Sequence, residues 1–288
     1  MKPDVSVVIC ARDAEKYIRN CISSLLDQTY ENFEIIIVDD MSTDNTANII
    51  RQFSDKRLKY YRNKEWLKIA RSRNRGLKHA NGKYVFLTDA DCTVSRNWIE
   101  EGVKCFEDKN CVGVEGKIHY VSKDYEPTFS DHALDNRCGG QFMTASAAYR
   151  KEAIIAVRGF DERLSYLHDR DIALRIMRHG KIRFNPNMIA YHPQVIMTPK
   201  SFIKSAADTK NRIILFKRFG ERKCMLWRVL APFNLAKIVF PPLVLASPFF
   251  HRYRTKEDLR LLPYTYVHAI LERLQIWKTC ATERVFLI

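Results

Sequence analysis

Two aspartates one residue apart, Asp89-Ala90-Asp91, combine residue type and spacing in a way that suits catalysis. At the end of an extended segment, carboxylates at i and i+2 can converge on one divalent cation. Hard Mg²⁺ or Mn²⁺ prefers oxygen ligands and usually takes one or two carboxylates plus substrate phosphates. Such a cation would neutralise a leaving diphosphate as a Lewis acid and template. The same triplet is also common turn chemistry, so its position in the fold decides. A second pair, Asp39-Asp40, ends an apolar run. A carboxylate there can accept hydrogen bonds from a nucleobase N–H or a ribose hydroxyl, or can simply be a loop acid capping a helix from residue 44.

Arg71-Ser72-Arg73-Asn74-Arg75 gathers cationic donors just upstream of the D-x-D. A guanidinium matches phosphate oxygens in bidentate fashion. Three arginines in five residues cannot all face one way on a helix, so the alternative is a solvated face. His168-Asp169 opens a helical pattern. An acid in a first turn is stabilised by the helix dipole, which lowers its pKa. A base that accepts a hydroxyl proton only in the transition state depends more on position than on resting pKa. His192, in Tyr191-His192-Pro193, is by itself more readily a structural residue than a metal ligand.

These residues need a scaffold, and residues 1–100 supply one. Val5–Cys10, Phe33–Val38, Leu58–Tyr61 and Tyr84–Leu87 read as strands, the first two mostly apolar and β-branched as in strands buried on both faces. Ile18, Cys21, Ile22, Leu25 and Leu26 recur at helical spacing. Helices are also expected over 44–53, with Ser42-Thr43-Asp44 as cap, and over 68–80, closed by Asn81-Gly82. Alternating strand and helix implies an α/β fold with a mostly parallel sheet and helices on both faces. Ligands bind such sheets at the carboxyl ends of the strands. Arg12-Asp13, Asp39-Asp40 and Asp89-Ala90-Asp91 all fall there. Further along, Val112–Tyr120 reads as a strand and Gly139–Thr144 as a loop entering one. Tyr149–Val157 and Asp169–His179 read as helices.

From about residue 201 the character changes. Residues 201–228 alternate apolar residues with Lys and Arg, as a basic amphipathic helix would. Val229–Phe250 is long enough to span a bilayer, but four prolines, including Pro241-Pro242, interrupt it. That pattern suits an interfacial or re-entrant element on anionic lipid, or a packing segment inside the fold. Two regions are expected: a catalytic domain over 1–200 and a basic, membrane-associating extension over 201–288.

Composition bounds the alternatives. With 46% hydrophobic and 28% charged residues in 288, the chain is an ordinary globular protein and not a disordered, collagenous or coiled-coil one. The net charge of +15 is uneven: residues 201–288 hold 16 Lys/Arg against 6 Asp/Glu. An anionic partner follows. No nucleic-acid recognition motif or aromatic-basic platform accompanies the charge. The eight cysteines form no C-x-x-C pair. They read as reduced, and the N-terminal apolar run is too short for a signal peptide, which points to the cytoplasm and the cytoplasmic membrane face.

The first 195 residues or so carry an ordered set of motifs: Val5–Ile9, Ser23–Tyr30, Glu34–Asp40, Ser42–Thr46, Arg73–Leu77, Asn81–Leu87, Asp89–Asp91, Ala148–Ala153, Gly159–Leu164, Asp169–Arg175 and Tyr191-His192. In these the chain resembles the family 2 glycosyltransferases of GT-A fold. The resemblance implies transfer of a sugar from a nucleoside-diphosphate sugar, with inversion, assisted by Mn²⁺ or Mg²⁺. It implies that Asp40 reads the donor base with Asp39 beside it, that Arg73 lies near the donor phosphates and that Asp89 faces the ribose. It further implies Asp91 as metal ligand, Asp169 as general base and His192 as completing the metal shell.

Three departures stand out. The first strand runs into Ala11-Arg12-Asp13 where a small residue and Thr-Tyr-Asn are usual, so Ala11 and Arg12 line the expected donor site and Arg12 either reaches a phosphate or packs outward. The base motif reads His168-Asp169 instead of Glu-Asp, which places a titratable neighbour beside the acid. Trp66-Leu67-Lys68 replaces a glycine-rich stretch, and Trp66 either stacks on a sugar ring or packs. The expected acceptor is a glycan or lipid-linked hydroxyl, or a lipid phosphate, of cell-envelope synthesis, at an anionic membrane surface. The alternatives are a sugar-phosphate nucleotidyltransferase, which would want a glycine-rich loop after the first strand, and a non-catalytic nucleotide-sugar binder.

Overall fold

The computed structural model describes residues 2–121, 126–131, 135–220, 225–226, 229–230, 236, 238–239 and 253–285. The chain divides into two compact units: Met1–Lys123 with Leu134–Pro193, and Asp124–Ala133 with Gln194–Ile288.

The first unit is built on one eight-stranded sheet. Its strands are β1 (Val5–Ala11), β2 (Phe33–Asp39), β3 (Leu58–Arg62), β4 (Tyr84–Asp89), β5 (Thr93–Val94), β6 (Cys111–Tyr120), β7 (Ala147–Arg150) and β8 (Lys181–His192). They lie in the order β3-β2-β1-β4-β7-β6-β8-β5. β3, β2, β1 and β4 pair in parallel. β7 runs against β4 and β6, β8 is parallel to β6, and β5 runs against β8. Six strands therefore share one direction, and β1, β2, β4, β6 and β8 all end at the same edge. The α/β class expected from the alternating pattern is the observed one.

The helices flank the sheet because β1 is apolar on both sides. Val5, Val7, Ile9 and Ala11 join the core of one face, with Ile18, Cys21, Ile22 and Leu25 of α1 (Ile18–Leu26), Ile49 and Ile50 of α2 (Thr46–Arg51) and Trp98 of α4 (Trp98–Cys105). Val8 turns to the other face, with Ala70 of α3 (Ile69–His79), Ile154 of α5 (Lys151–Ala156) and Ile172 and Ile176 of α6 (His168–Ile176). Helix α3 lies so close to β1 that a Cβ on Gly76 would come within 2.4 Å of Val8 Cγ1. Only glycine allows that approach, and the approach sets how deep Arg73 sits.

Local readings moved where pairing overrode them. Tyr149 and Arg150, expected in a helix over 149–157, belong to β7, where they pair with Val85 and Tyr84. The helix starts at Lys151. The helix expected from residue 44 starts at Thr46 with Asn45 at its N-cap, and Asp44 Oδ1 accepts from Thr46 N at 3.0 Å just before it.

In the second unit, the basic stretch expected as one helix over 201–228 is divided. Helix α7 (Pro199–Ser205) passes through a 3-10 turn (Ala206–Asp208) into α8 (Thr209–Phe219), which Gly220 closes in the left-handed conformation. Met225–Leu226 and Val229–Leu230 form a short antiparallel pair. Beyond Leu230, the apolar stretch to Phe250 lies outside the described residues apart from 236, 238 and 239. Helices α9 (Lys256–Leu261) and α10 (Tyr264–Glu283) follow. Asp258 is fully buried and anchors this unit. It accepts from Thr128 Oγ1 (2.9 Å) and from the backbone N–H of Ser130 (2.6 Å), Arg254 (2.7 Å) and Thr255 (2.6 Å).

Candidate active site

The site residues converge because the parallel strands end together. At the β1 and β2 ends, Asp40 N donates to Ala11 O at 2.8 Å. Ala11 has its side chain in the core, so it contributes backbone to this corner. The buried Asp40 carboxylate accepts from Asn63 Nδ2 (2.7 Å) and from Leu67 N (2.9 Å). Asp39 is also buried, and both its oxygens are taken: Ser42 N donates to one and Tyr60 Oη to the other, with Arg62 Nε 3.7 Å away. Asp39 thus shapes the loop after β2. Arg12 does not point into the crevice as a lone cation. Its guanidinium lies 4.3 Å from the Trp66 ring centroid, and its Nε is 3.5 Å from Asp13. The exposed Trp66 ring therefore carries Arg12 on one face.

Helix α3 distributes its arginines among different tasks. Arg73 is buried and donates from Nη2 to Asp89 Oδ1 at 2.7 Å. Its Nη1 lies 3.1 Å from His168 Nδ1. Asn74 grips the backbone of Phe160, accepting from its N–H at 2.8 Å and donating to its carbonyl at 2.9 Å. Arg75 holds Asn63 and the Arg62 carbonyl. Arg71 pairs with Glu162 at the surface. Burial, reinforced by Arg73, pushes the His168 pKa well below its ordinary value. His168 is neutral, an acceptor for Arg73, and not the near-neutral titrating group expected beside Asp169.

Asp91 and His192 are 101 residues apart in the chain, and sheet pairing unites them. The β5–β8 register sets Thr93 opposite Tyr191, which brings His192 Nε2 to 3.5 Å from Asp91 Oδ2. His192 Nδ1 is 2.8 Å from the Pro193 carbonyl, which can only accept, so Nδ1 carries the proton and Nε2 presents a lone pair. A carboxylate oxygen and an imidazole lone pair facing one another form a donor set for a divalent cation, and the backbone bond orients the ring as in metal-binding histidines. The residues fit a cation. Cys92 Sγ lies in the same cluster. Burial, with Asp89 and Asp91 nearby, raises its pKa well above the ordinary thiol value, so it stays a thiol. The Asp91 pKa is raised too, by burial first and by Asp89 second.

Asp169 stands in the first turn of α6 and keeps part of its surface open. Its Oδ1 accepts from Arg170 N at 2.8 Å. The helix-dipole argument predicts a lowered pKa, but burial outweighs it: the carboxyl is raised above its ordinary value, with Asp89 adding to the effect and Arg170 N–H and Arg73 opposing it. The loop before β7 borders this helix. Glu115 of β6 accepts from Gly140 N (2.6 Å) and from Phe142 N. Arg170 donates to the Gly140 carbonyl at 2.8 Å and lies over the Phe142 ring. Gly139 has φ +83°, and a Cβ there would crowd Phe184.

Sequence reasoning missed Asn63, Glu115 and the Asn74 clamp. Asn63 directly follows β3 at the ligand edge, a positional signal, and Glu115 is a lone acid in an apolar strand. Strain marks the same edge. Asp13, Met41 and Val121, just past β1, β2 and β6, and Lys68 and Leu167, entering α3 and α6, all have positive φ. Such non-glycine conformations persist where surrounding structure enforces them, often at functional sites.

Comparisons with known proteins bear on the family and the fold. The chain is 43% identical over 116 residues to an uncharacterized glycosyltransferase of Haemophilus influenzae, which covers 40% of this chain and 36% of that protein. It is 32% identical over 120 residues to the Escherichia coli UDP-Glc:alpha-D-GlcNAc-diphosphoundecaprenol beta-1,3-glucosyltransferase WfgD, covering 42% of this chain and 47% of that protein. Each match spans less than half of the relative. In fold, the chain resembles the mannosyltransferase PcManGT from Pyrobaculum calidifontis, solved with GDP-Man and Mn²⁺. The TM-score is 0.63 at 18% identity, over 96% of this chain and 88% of that one. The pattern described as Glycosyl transferase family 2 matches residues 6–179, more than half of the chain, and the chain therefore belongs to glycosyl transferase family 2.

Proposed function

We propose that the protein transfers a sugar from a nucleoside-diphosphate sugar to a hydroxyl of a lipid-linked envelope glycan, with inversion. The observation that carries the reading is the convergence of Asp40, Asp89, Asp91, Asp169 and His192 on one sheet edge. Asp40, held by Asn63 and Leu67 N–H, faces the donor base. Asp89, held by Arg73, faces the ribose. Arg73 acts as a positioning residue through Asp89, and Asp39 does so through the loop it braces. Asp91 Oδ2 and His192 Nε2 would hold Mn²⁺ or Mg²⁺, which supplies positive charge against the leaving diphosphate.

Asp169 accepts the acceptor hydroxyl proton. Its raised pKa makes it a better base than an ordinary carboxylate. Inversion follows from a single displacement in which this base and the leaving group stand on opposite sides of the anomeric carbon.

The acceptor class rests on the diphosphoundecaprenol acceptor named for the WfgD relative and on the charge of residues 201–288, 16 Lys/Arg against 6 Asp/Glu. We place the enzyme at the cytoplasmic membrane face, with 1–200 as catalytic region and 201–288 as membrane-associating region. No helix among the described residues is long and apolar enough to cross a membrane.

Release of nucleoside diphosphate from a panel of sugar nucleotides tests the reading, with Mn²⁺, Mg²⁺ or chelator, on wild type and Asp91→Ala. Metal-dependent release from one donor, lost in the variant, is expected. Nucleotide binding with no release from any donor, alone or with lipid-diphosphate acceptors, would overturn it.

A further inference from the structure

Helix α10 is turned inside out for a water-facing helix. Its charged residues Glu272 and Arg273 are buried, at 4% and 2% exposure. Glu272 accepts from Thr209 Oγ1 of α8 at 2.9 Å. The flanking apolar residues point outward: Leu271 is 39% exposed and Leu274 52%. They continue a stripe of Tyr264, Val267 and Trp277, the last 54% exposed. The spacing of three, four, three and three residues keeps all five near one face of a helix. Of the other charges of α10, Lys278 is exposed, and Glu283 at the C-terminal end is partly exposed and pairs with Lys217 of α8 at 2.9 Å. The helix before it repeats the pattern, with Asp258 buried and Leu259 57% exposed. Lys256 and Arg260 are exposed beside Leu259.

We infer that this outward face of α9 and α10 is a docking surface for an anionic lipid bilayer, lying in the headgroup plane. Two rules favour that occupant. An apolar helix face with a Trp and neighbouring basic residues matches helices that rest in the interface. The region's excess positive charge complements anionic headgroups. The same charge argues against a second copy of the chain, since a symmetric pairing through α10 would bring two strongly basic regions together. The face lies on α10, whereas most of the 229–250 stretch singled out by length and hydropathy lies outside the described residues. The inference deepens the proposed function and rests on it only for the acceptor, because lipid binding needs no donor.

Flotation of the full chain with vesicles of phosphatidylcholine plus phosphatidylglycerol, and of phosphatidylcholine alone, tests it. Binding to the anionic vesicles and weak binding to the neutral ones is expected. The double variant Leu271→Glu, Leu274→Glu should lower the anionic binding at least about tenfold, since each buried leucine is worth about that in partition. Both positions are exposed, so the variant should keep the wild-type circular dichroism and melting temperature. In the wild type, brominated phosphatidylglycerol should quench tryptophan emission, and Trp277→Phe should remove most of that quenching. Absence of wild-type binding overturns the inference, as does binding indifferent to the double substitution or to headgroup charge. A dimer in sedimentation velocity that the same substitution dissolves overturns it in favour of a second copy. Donor hydrolysis on the same samples separates these outcomes from failure of the transferase reading.

Discussion

Arg73 donates to Asp89 Oδ1 at 2.7 Å from a guanidinium that is almost wholly buried. The bond links α3 to the end of β4 and holds the first aspartate of the D-x-D, with His168 taking the other arm at 3.1 Å. Removing one partner of a buried ion pair leaves the other uncompensated. Arg73→Ala should therefore cost on the order of 3 kcal/mol, read as a lower urea midpoint. Arg73→Lys keeps the charge without the two-armed geometry and should fall between, with weakened nucleotide binding.

Asp169→Asn separates function from stability. It should cut turnover by roughly 10²–10⁴-fold, the range for a general base, with nucleotide affinity unchanged in calorimetry. Burial raises the Asp169 pKa, so the folded state holds this proton more tightly than the unfolded chain. Its contribution to stability is fully present below the unfolded carboxylate pKa and is lost as pH rises through the raised folded value. The neutral Asn should therefore melt higher than wild type near neutrality, and the gain should vanish in acid.

The same shift predicts the pH–rate profile. Asp169 must be ionised to accept a proton, so the rate should fall as pH drops through a pKa above the ordinary carboxylate range. His168 is held neutral by burial and Arg73 and should add no limb near neutrality. A profile on wild type and His168→Gln, with the acid limb unmoved by more than the lost Arg73 contact explains, checks this.

Asp91→Asn and His192→Ala should each weaken Mn²⁺ binding by about 10–100-fold, measured by electron paramagnetic resonance with nucleoside diphosphate present. Turnover should fall by orders of magnitude in both, because charge on the leaving diphosphate goes uncompensated. Cys92→Ala should leave the Mn²⁺ affinity nearly unchanged, since this hard cation takes oxygen ligands in preference to a thiol.

Asp258 predicts acid sensitivity in the second unit. Its backbone and hydroxyl donors hold its carboxyl far below the ordinary range despite burial. That stabilisation is present above the unfolded pKa of about 3.9 and is lost as pH falls toward the depressed value. Asp258→Asn sets an amide donor against several N–H groups and should cost roughly 2–3 kcal/mol. Melting curves at neutral and acid pH should show the difference between wild type and variant shrinking in acid.

The candidate site was legible in part because its acids end strands whose apolar runs can be read locally. Asp39, Asp40, Asp89 and Asp91 follow largely apolar stretches, and their common edge follows from parallel topology. The partition of roles was not legible. Nothing in the spacing of Asp39-Asp40 says that Ser42 and Tyr60 occupy Asp39 while Asn63 and Leu67 hold Asp40. Tyr149 and Arg150 read as helical until pairing with β4 claimed them.

The amino-acid sequence by itself determined the alternation of strands and helices, the placement of acids at strand ends and the basic character of the last third. Those features depend on hydrophobic period and composition, which are properties of neighbours along the chain. Tertiary structure alone decided that Asp91 meets His192, that Arg73 serves Asp89, that Asp169 is raised instead of lowered, and that α10 buries Glu272 and Arg273 while showing its leucines. Each of these depends on which distant groups surround a side chain, because burial, pairing and electrostatic field are set by packing across the fold.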